Sequence, residues 1–193
     1  MVREEWEREQ VHRLNHEAFA VEVGQHERRA DGRLVDRFDA ENTYFGAFDG
    51  ERLVGMIALR GERPFSLDAK MADLDGWLPA GRPVCEVRLL YVQREWRSGP
   101  LCARLVGALV QEGRRRGYGV AVISGIRGQR RLYEHMGFTA FAEEVRSGQA
   151  VYQPMMVRME DLERRCGQLL RRRPIHDENA GEHERRRQHR PLS

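Results

Sequence analysis

Two side chains suited to acid–base chemistry lie in separate apolar stretches of the sequence. They are Glu86, within CEVRLLYV, and Tyr133, within LYEHMGF. A carboxylate can remove a proton from an ammonium group, and a phenol can donate a proton to a leaving thiolate. Each residue also has a structural alternative. Glu86 can form an ion pair with an arginine such as Arg88 or Arg127, and Tyr133 can be a core aromatic whose hydroxyl finds a backbone partner.

A helix beginning at Pro100 is predicted to follow the strand that contains Glu86. The first amides of a helix have no partner within it, and this end of the helix carries partial positive charge, so it can bind a phosphate group. Proline suits the first helical position, where an N–H is not needed. An ordinary strand-to-helix connection is the alternative. The amides available to an anion belong to Ser98, Gly99, Leu101, Cys102 and Ala103.

Hydrophobic periodicity predicts the elements that must position these residues. Their mixture indicates an α/β (α+β) fold with a mixed sheet. The predicted order is a helix over 2–23, a hairpin of strands at about 43–48 and 53–60 with an Asp49-Gly50 turn, a strand over 85–92, a helix from Pro100 to about Arg116, a strand over 119–124, a short helix over 128–136, and two strands in GFTAFAEEV and AVYQPMMVRM.

Composition restricts the class of protein. The 33 basic and 30 acidic residues give a formal net charge of only +3, which argues against a dedicated nucleic-acid binder. Lys70 is the only lysine, and we interpret this as compositional bias. Cys85, Cys102 and Cys166 are too few and too scattered for a disulfide framework or a zinc site, so a reducing cytoplasm is expected.

One domain followed by a charged tail is expected. Residues 1–160 hold the periodic elements, whereas 161–193 are predicted to be helical at first and then disordered, because they offer little apolar surface. The N-terminal segment MVREEWEREQ lacks the apolar region of a secretory signal, and no apolar run is long enough to cross a bilayer. We therefore expect a cytoplasmic monomer or homodimer that binds neither membrane nor nucleic acid.

The region around the predicted helix start resembles a known family. EVRLLYV followed by RSGPLC is similar to motif A of the GNAT acetyltransferases, and LYEHMGF is similar to their motif B. The resemblance implies the GNAT fold, with a mixed, mostly antiparallel sheet flanked by helices. It also implies acyl transfer to an amine from acetyl-CoA or acyl-CoA without a metal. In this scheme Tyr133 lies near the thioester sulfur as the general acid, and Glu86 is the candidate base.

The same resemblance assigns the residues that bind the acyl donor. It implies that one strand pairs with the pantetheine arm and that the loop after it holds the phosphate. Pro100 and Cys102 stand where the family has glycines, so one amide donor is lost and one side chain is added. The implied donor-binding residues are Leu90, Tyr91, Val92, Arg97, Ser98, Gly99, Leu101, Cys102 and Ala103.

The N-terminal half is similar to the autoinducer synthases and N-acyl amino acid synthases, GNAT relatives that take acyl groups from acyl carrier protein. Phe19, Asp36 and Asp39 fall on their motif, which implies that the two aspartates bind the acceptor. Turn chemistry is the alternative for both. Arginines of the family's motif are replaced by Asn15 and Ala58.

These observations predict an N-acyltransferase that moves an acetyl or longer acyl group from acyl-CoA to the amine of a small molecule or amino acid. One alternative is an enzyme similar to the N-acyl amino acid synthases that depends on acyl carrier protein. A second is a GNAT-like binding module without catalytic activity. The arginine-rich end of the chain is the only feature that favours nucleic-acid binding.

Overall fold

A computed structural model describes residues 1–148 and 150–171 of the chain. The described residues form one sheet with helices on its faces. The helices are α1 (Glu5–His16), α2 (Leu101–Arg115), α3 (Arg130–His135) and α4 (Met159–Arg171). The strands are β1 (Thr43–Asp49), β2 (Arg52–Arg60), β3 (Val84–Val92), β4 (Val120–Ile126), β5 (Thr139–Ala140), β6 (Val145–Ser147) and β7 (Ala150–Arg158).

The sheet is mixed and mostly antiparallel, as predicted. Its strand order is β1-β2-β3-β4-β7-β5, and β6 also pairs with β7. In this sheet only β3 and β4 run parallel to each other, and α2 connects them. A parallel pair needs such a crossover, which explains why the apolar strand, helix and strand follow one another in the sequence.

The two parallel strands separate part-way along their length. Their register covers only Val84 to Glu86 on β3, opposite Val120 to Val122 on β4. Just beyond this point Leu89 adopts a φ of 52°, and the register of β3 with β2 shifts. Such a register shift is a β-bulge, in which one strand has an extra residue. A β-bulge bends the strand and can end its pairing with a neighbour. The bulge therefore opens a gap between β3 and β4 immediately after Glu86.

Local sequence explains the flanking elements. The β1–β2 hairpin turns at Asp49-Gly50, and Gly50 has the positive φ of 58° that such a tight turn requires. In α2, the apolar stripe that includes Leu105 and Leu109 is buried against the sheet. A helix with one apolar face packs in this way because burial removes that face from water.

Two segments differ from the predicted elements. The first helix ends at His16 and continues as a π-helical stretch over Glu17–Glu22, where the hydrophobic pattern suggested one uninterrupted helix. The predicted strand GFTAFAEEV is divided into the short β5 and β6, both of which pair with β7. The hydrophobic pattern alone does not reveal an inserted residue in a helix or a break in strand pairing, because both depend on neighbouring elements.

The expected charged tail begins as an ordered helix. Helix α4 buries Met159, Leu162 and Cys166 in the main core, where it packs against α2. These three residues are spaced three and four apart, so they share one helix face. Residues 161–171 are thus packed as part of the domain, and the predicted disorder concerns 172–193, which lie outside the described residues.

Several expectations drawn from composition concern the described residues. No helix among them is long and apolar enough to cross a membrane. All three cysteines are free, and Cys85 and Cys166 are buried. Within the same part of the chain, no three His, Cys, Asp or Glu side chains are grouped as a metal site would need.

Candidate active site

A cavity of about 470 Å³ lies where β3 and β4 separate. This volume is in the range of about 300–1,000 Å³ that is usual for small-molecule sites. Glu86 and Tyr133, the two predicted acid–base residues, both line it. Its other walls include the loop residues 34–37 and the turn that contains Ser66 and Lys70. The lining also includes apolar side chains from the separated strands and the segment after α3, such as Leu90, Ile123 and Phe138.

Glu86 is completely buried and lines this cavity. Its carboxylate accepts hydrogen bonds from the backbone amide of Ser66, with both N···O distances at 3.0 Å, and from the Ser66 hydroxyl. It also forms an ion pair with Arg88 Nη1 at 3.0 Å. The ion pair considered in the sequence is therefore present, and the same residue lines the cavity. The geometry is compatible with both interpretations of Glu86.

Arg88 connects Glu86 to Asp36, one of the two predicted acceptor-binding aspartates. Arg88 Nη2 lies 2.7 Å from Asp36 Oδ2, and the guanidinium stacks 4.8 Å from the ring centroid of Phe38. Asp36 Oδ1 accepts from the Phe38 amide at 2.9 Å and from Asn42 at 3.0 Å. Asp36 lines the cavity while also forming the turn considered as its alternative.

Asp39 does not line the cavity. Its Oδ1 accepts from the Tyr44 hydroxyl at 2.8 Å and lies 3.1 Å from Nε2 of His12, so it connects β1 to α1. Arg8 lies 3.6 Å from the other carboxylate oxygen. The structure thus gives Asp39 protein partners away from the site where the sequence expected it to bind the acceptor.

Tyr133 projects from α3 into the cavity and packs against Gly125 of β4. A Cβ at position 125 would lie 2.9 Å from two ring carbons of Tyr133, so only glycine allows this approach. The Tyr133 hydroxyl donates to Gln129 Oε1 at 3.1 Å. Burial raises the pKa of Tyr133 to about 12. The phenol therefore stays protonated at neutral pH, as a proton donor must.

The start of α2 presents three of the predicted free amides, whereas the Gly99 amide donates to the Trp96 carbonyl. The first backbone bond of the helix runs from the Arg104 amide to the Pro100 carbonyl at 3.0 Å, so the amides of Leu101, Cys102 and Ala103 precede the helical hydrogen bonds. The side chains of Leu101 and Cys102 pack against the main core. Cys102 therefore does not fill the space in front of the amides, although it replaces a glycine of the motif. Gly99 N–H lies 3.4 Å from the Trp96 carbonyl, and Ser98 is exposed in the same loop.

Arg97, one of the predicted donor-binding residues, uses its side chain within the protein. Its guanidinium forms an ion pair with Glu22 at 2.7 Å and donates through Nε to the Val92 carbonyl at 2.7 Å. Glu22 also accepts from the Tyr91 hydroxyl at 2.8 Å, and it belongs to the π-helical stretch after α1. Arg97 thus holds the loop to the N-terminal segment, and its role in donor binding stays a prediction.

The predicted pantetheine strand is Leu90 to Val92, beyond the bulge. Tyr91 and Val92 pair with Met56 and Gly55 of β2 on one side. On the other side the pairing of β3 with β4 has ended, so this edge of β3 faces the gap between the two strands. An extended arm with amide groups can bind such an edge as an added strand does.

The sequence matches a known protein family over most of its length. The model of the N-acyl amino acid synthase FeeM family matches residues 10–160, which is most of the chain and includes the whole cavity. The chain belongs to this FeeM family. It is accordingly an acyltransferase, and the resemblance stated from the motifs is confirmed. No curated protein shows significant similarity to the sequence.

Solved structures share the fold of this FeeM-family chain. A CoA-dependent acyl-homoserine lactone synthase, BjaI, is 23% identical with a TM-score of 0.69, and the match covers 86% of this chain and 82% of that one. FeeM from uncultured soil microbes is 20% identical with a TM-score of 0.64, over 82% and 94% of the two chains. A putative N-acetyltransferase from Lactobacillus plantarum is 16% identical with a TM-score of 0.58, over 81% and 93%. These likenesses confirm the predicted GNAT-like fold.

Two residues of this FeeM-family site are not indicated by any sequence pattern. Ser66 binds Glu86 through its amide and hydroxyl, and Lys70 lies in the cavity wall. Both come from the proline- and glycine-rich segment between β2 and β3, which has no periodic pattern. Their one unusual sequence feature is that Lys70 is the single lysine, which is also explained by compositional bias.

Proposed function

We propose that the chain is an N-acyl amino acid synthase that transfers an acyl group from acyl-CoA to the α-amine of an amino acid. The observation that carries this proposal is that buried Glu86 lines a cavity at the point where β3 and β4 separate and shares that cavity with protonated Tyr133. The family match supports the reaction class.

The reaction needs one base and one acid. Glu86 removes a proton from the acceptor ammonium, directly or through a water molecule, and the free amine attacks the thioester carbonyl carbon. A carbon–nitrogen bond forms as the carbon–sulfur bond breaks, and Tyr133 donates its proton to the departing thiolate. The nitrogen loses its second proton to solvent, which also reprotonates the tyrosine. Backbone N–H groups along Leu90–Val92 are suited to stabilise the oxyanion.

Several features support CoA as the donor. The amides of Leu101, Cys102 and Ala103 precede the first helical bond, and the Cys102 side chain packs into the core. The start of α2 therefore has the free donors and the access that a phosphate group requires. The open edge of β3 beside this loop suits the pantetheine arm.

A carrier protein is the second candidate donor. Pro100 removes one amide from the loop, and Arg94 and Arg104 are exposed around it, so they are available to an acidic partner. Arg97 contributes less to such a surface, because Glu22 neutralises it. Comparing kcat/KM for one acyl group on CoA and on acyl carrier protein decides between the donors, and we expect a preference for CoA.

Thiol release tests the whole proposal. Acetyl-, octanoyl- and palmitoyl-CoA are each incubated with single amino acids, thiol is measured continuously, and the N-acyl product is identified by mass spectrometry. Glu86→Gln and Tyr133→Phe should reduce release. Tyr118→Phe, a tyrosine that does not line the cavity, is the matched control. Binding of acyl-CoA without release for any acceptor would instead favour the non-catalytic binding module.

A further inference from the structure

The cavity contains the only lysine of the sequence. The chain has 33 basic residues, and Lys70 alone is not an arginine. It lies half-buried in the turn after β2 and lines the same cavity as Glu86 and Tyr133. Its ammonium is therefore positioned to contact a bound substrate, and its partners indicate what kind of substrate group it would contact.

The Lys70 ammonium has few partners in the protein. Nζ donates to the Ser66 carbonyl at 3.0 Å and lies 4.6 Å from the ring centroid of Tyr152. Among residues 1–148 and 150–171, no carboxylate forms an ion pair with it within 4.0 Å. An ammonium group has three N–H donors, so this one can still donate to a ligand.

The charges in the cavity wall do not balance. The basic residues are Arg37, Lys70 and Arg88, and the acidic residues are Asp36 and Glu86. Arg88 bridges both carboxylates, with contacts of 2.7 Å and 3.0 Å. The cavity wall therefore has an excess of one positive charge. A partly buried charge without a counter-ion is unfavourable, so a bound anion would stabilise it.

One residue connects this cation to the candidate base. Ser66 donates to Glu86 through its amide and its hydroxyl, and its carbonyl accepts from Lys70. Ser66 thus contacts both groups. The Glu86 carboxylate can accept a proton, and the Lys70 ammonium can bind an anion. A free α-amino acid carries an ammonium and a carboxylate on one carbon, so it has one group for each of these two side chains.

We propose that Lys70 binds the α-carboxylate of the acceptor amino acid, so that the site selects free amino acids over amines that lack the carboxylate. This inference rests on the proposed function and adds a specificity-determining residue to it. The charge-assisted hydrogen bond would orient the α-amine towards Glu86. Burial lowers the pKa of Lys70, although the nearby Glu86 opposes this effect, and a bound carboxylate would act in the same direction as Glu86.

Substrate selectivity tests this role. Single amino acids and their carboxamides are compared as acceptors with one acyl-CoA, because each pair differs in the negative charge. The ratio of kcat/KM for acid over amide should fall roughly 10- to 100-fold in Lys70→Met, the size expected for a hydrogen bond between charged groups. Lys70→Arg keeps the charge and should retain most of the ratio. A general loss of structure lowers both rates by the same factor, so it cannot by itself reduce the ratio. If the ratio in Lys70→Met equals that of the unaltered protein, the proposal is overturned.

The single lysine also allows a direct binding measurement. Reductive methylation with ¹³C-formaldehyde keeps the positive charge and labels only Lys70 and the N-terminal amine. Titration with an amino acid that serves as an acceptor should shift the Lys70 signal, whereas its carboxamide should not. Lys70→Met identifies the signal by its loss. A Lys70 signal that does not respond to the amino acid overturns the inference.

The two proposals fail in different ways. An enzyme that releases thiol equally well with amino acids and their carboxamides would overturn the carboxylate site and leave acyl transfer intact. Absence of thiol release with any acceptor would refute the proposed function. In that case a panel of single amino acids titrated against the labelled protein still tests carboxylate binding, and a Lys70 signal that responds to none of them overturns the inference.

Discussion

Replacing Gly125 by alanine should displace the Tyr133 ring without changing any group that takes part in the reaction. The added Cβ would lie 2.9 Å from Cδ2 and Cε2 of Tyr133 and 3.4 Å from the Gln153 carbonyl oxygen. Carbon atoms in contact prefer about 3.5–4.0 Å, so the ring must move by roughly 0.6–1 Å. A displacement of about 1 Å at a reacting group can reduce the rate by about 10²-fold. We therefore expect kcat to fall by about 10- to 100-fold.

The stability cost of the same change should be small. Adding a methyl group to a packed site costs about 1–3 kcal/mol, and the lower end applies because Tyr133 is only half-buried. A change of about 1 kcal/mol lowers Tm by roughly 2–4 °C in a domain of this size. Gly107→Ala is the matched control, since a Cβ there meets no atom within 4 Å. Alanine inside α2 should raise stability by about 0.5–1 kcal/mol and leave turnover unchanged.

Thiol release and thermal unfolding are measured for Gly125→Ala, for Gly107→Ala and for the double variant that combines Gly125→Ala with Tyr133→Phe. If Gly125 acts only by positioning the Tyr133 hydroxyl, the double variant should be no slower than Tyr133→Phe alone, because the two changes remove one interaction. Full turnover by Gly125→Ala would refute the reasoning. Additive losses in the double variant would show that Gly125 acts on another part of the site.

Two further predictions concern the acid–base residues. Tyr133→Phe should lower turnover by about 10²-fold or more with little change in donor affinity, because only the proton is lost. Since the pKa of Tyr133 is raised to about 12, wild-type kcat should not fall through titration of this residue near pH 10, and a fall there that Tyr133→Phe abolishes would contradict the assignment. Glu86→Gln should depress the rate most at low pH, where the amine carries a proton that a base must remove. Glu112→Gln, which changes another arginine-paired carboxylate outside the cavity, should keep the wild-type pH profile. A profile shared by all three proteins would exclude Glu86 as the base.

The sequence predicted the parts of the site that depend on local patterns. Glu86 and Tyr133 lie in regular elements whose apolar spacing is readable, and the structure brings both to one cavity. The segment between β2 and β3 has no such pattern, so Ser66 and Lys70 could not be assigned to the site before folding. Asp36 and Asp39 lie three residues apart in one turn, yet only Asp36 reaches the cavity. Sequence proximity does not determine which way each carboxylate points in a turn.

By itself the sequence determined the order of helices and strands up to α3, the hairpin at Asp49-Gly50 and the helix that begins beside Pro100, because each depends on interactions within a few residues. Only the tertiary structure decided where β3 leaves β4. That separation depends on the positive φ of Leu89 and on a register shift against β2, and neither has a local sequence signal. The opening in turn creates the cavity and brings Lys70, from a distant turn, to the same wall as Glu86. Long-range pairing fixes these positions, so chemistry that depends on them is established only when the chain has folded.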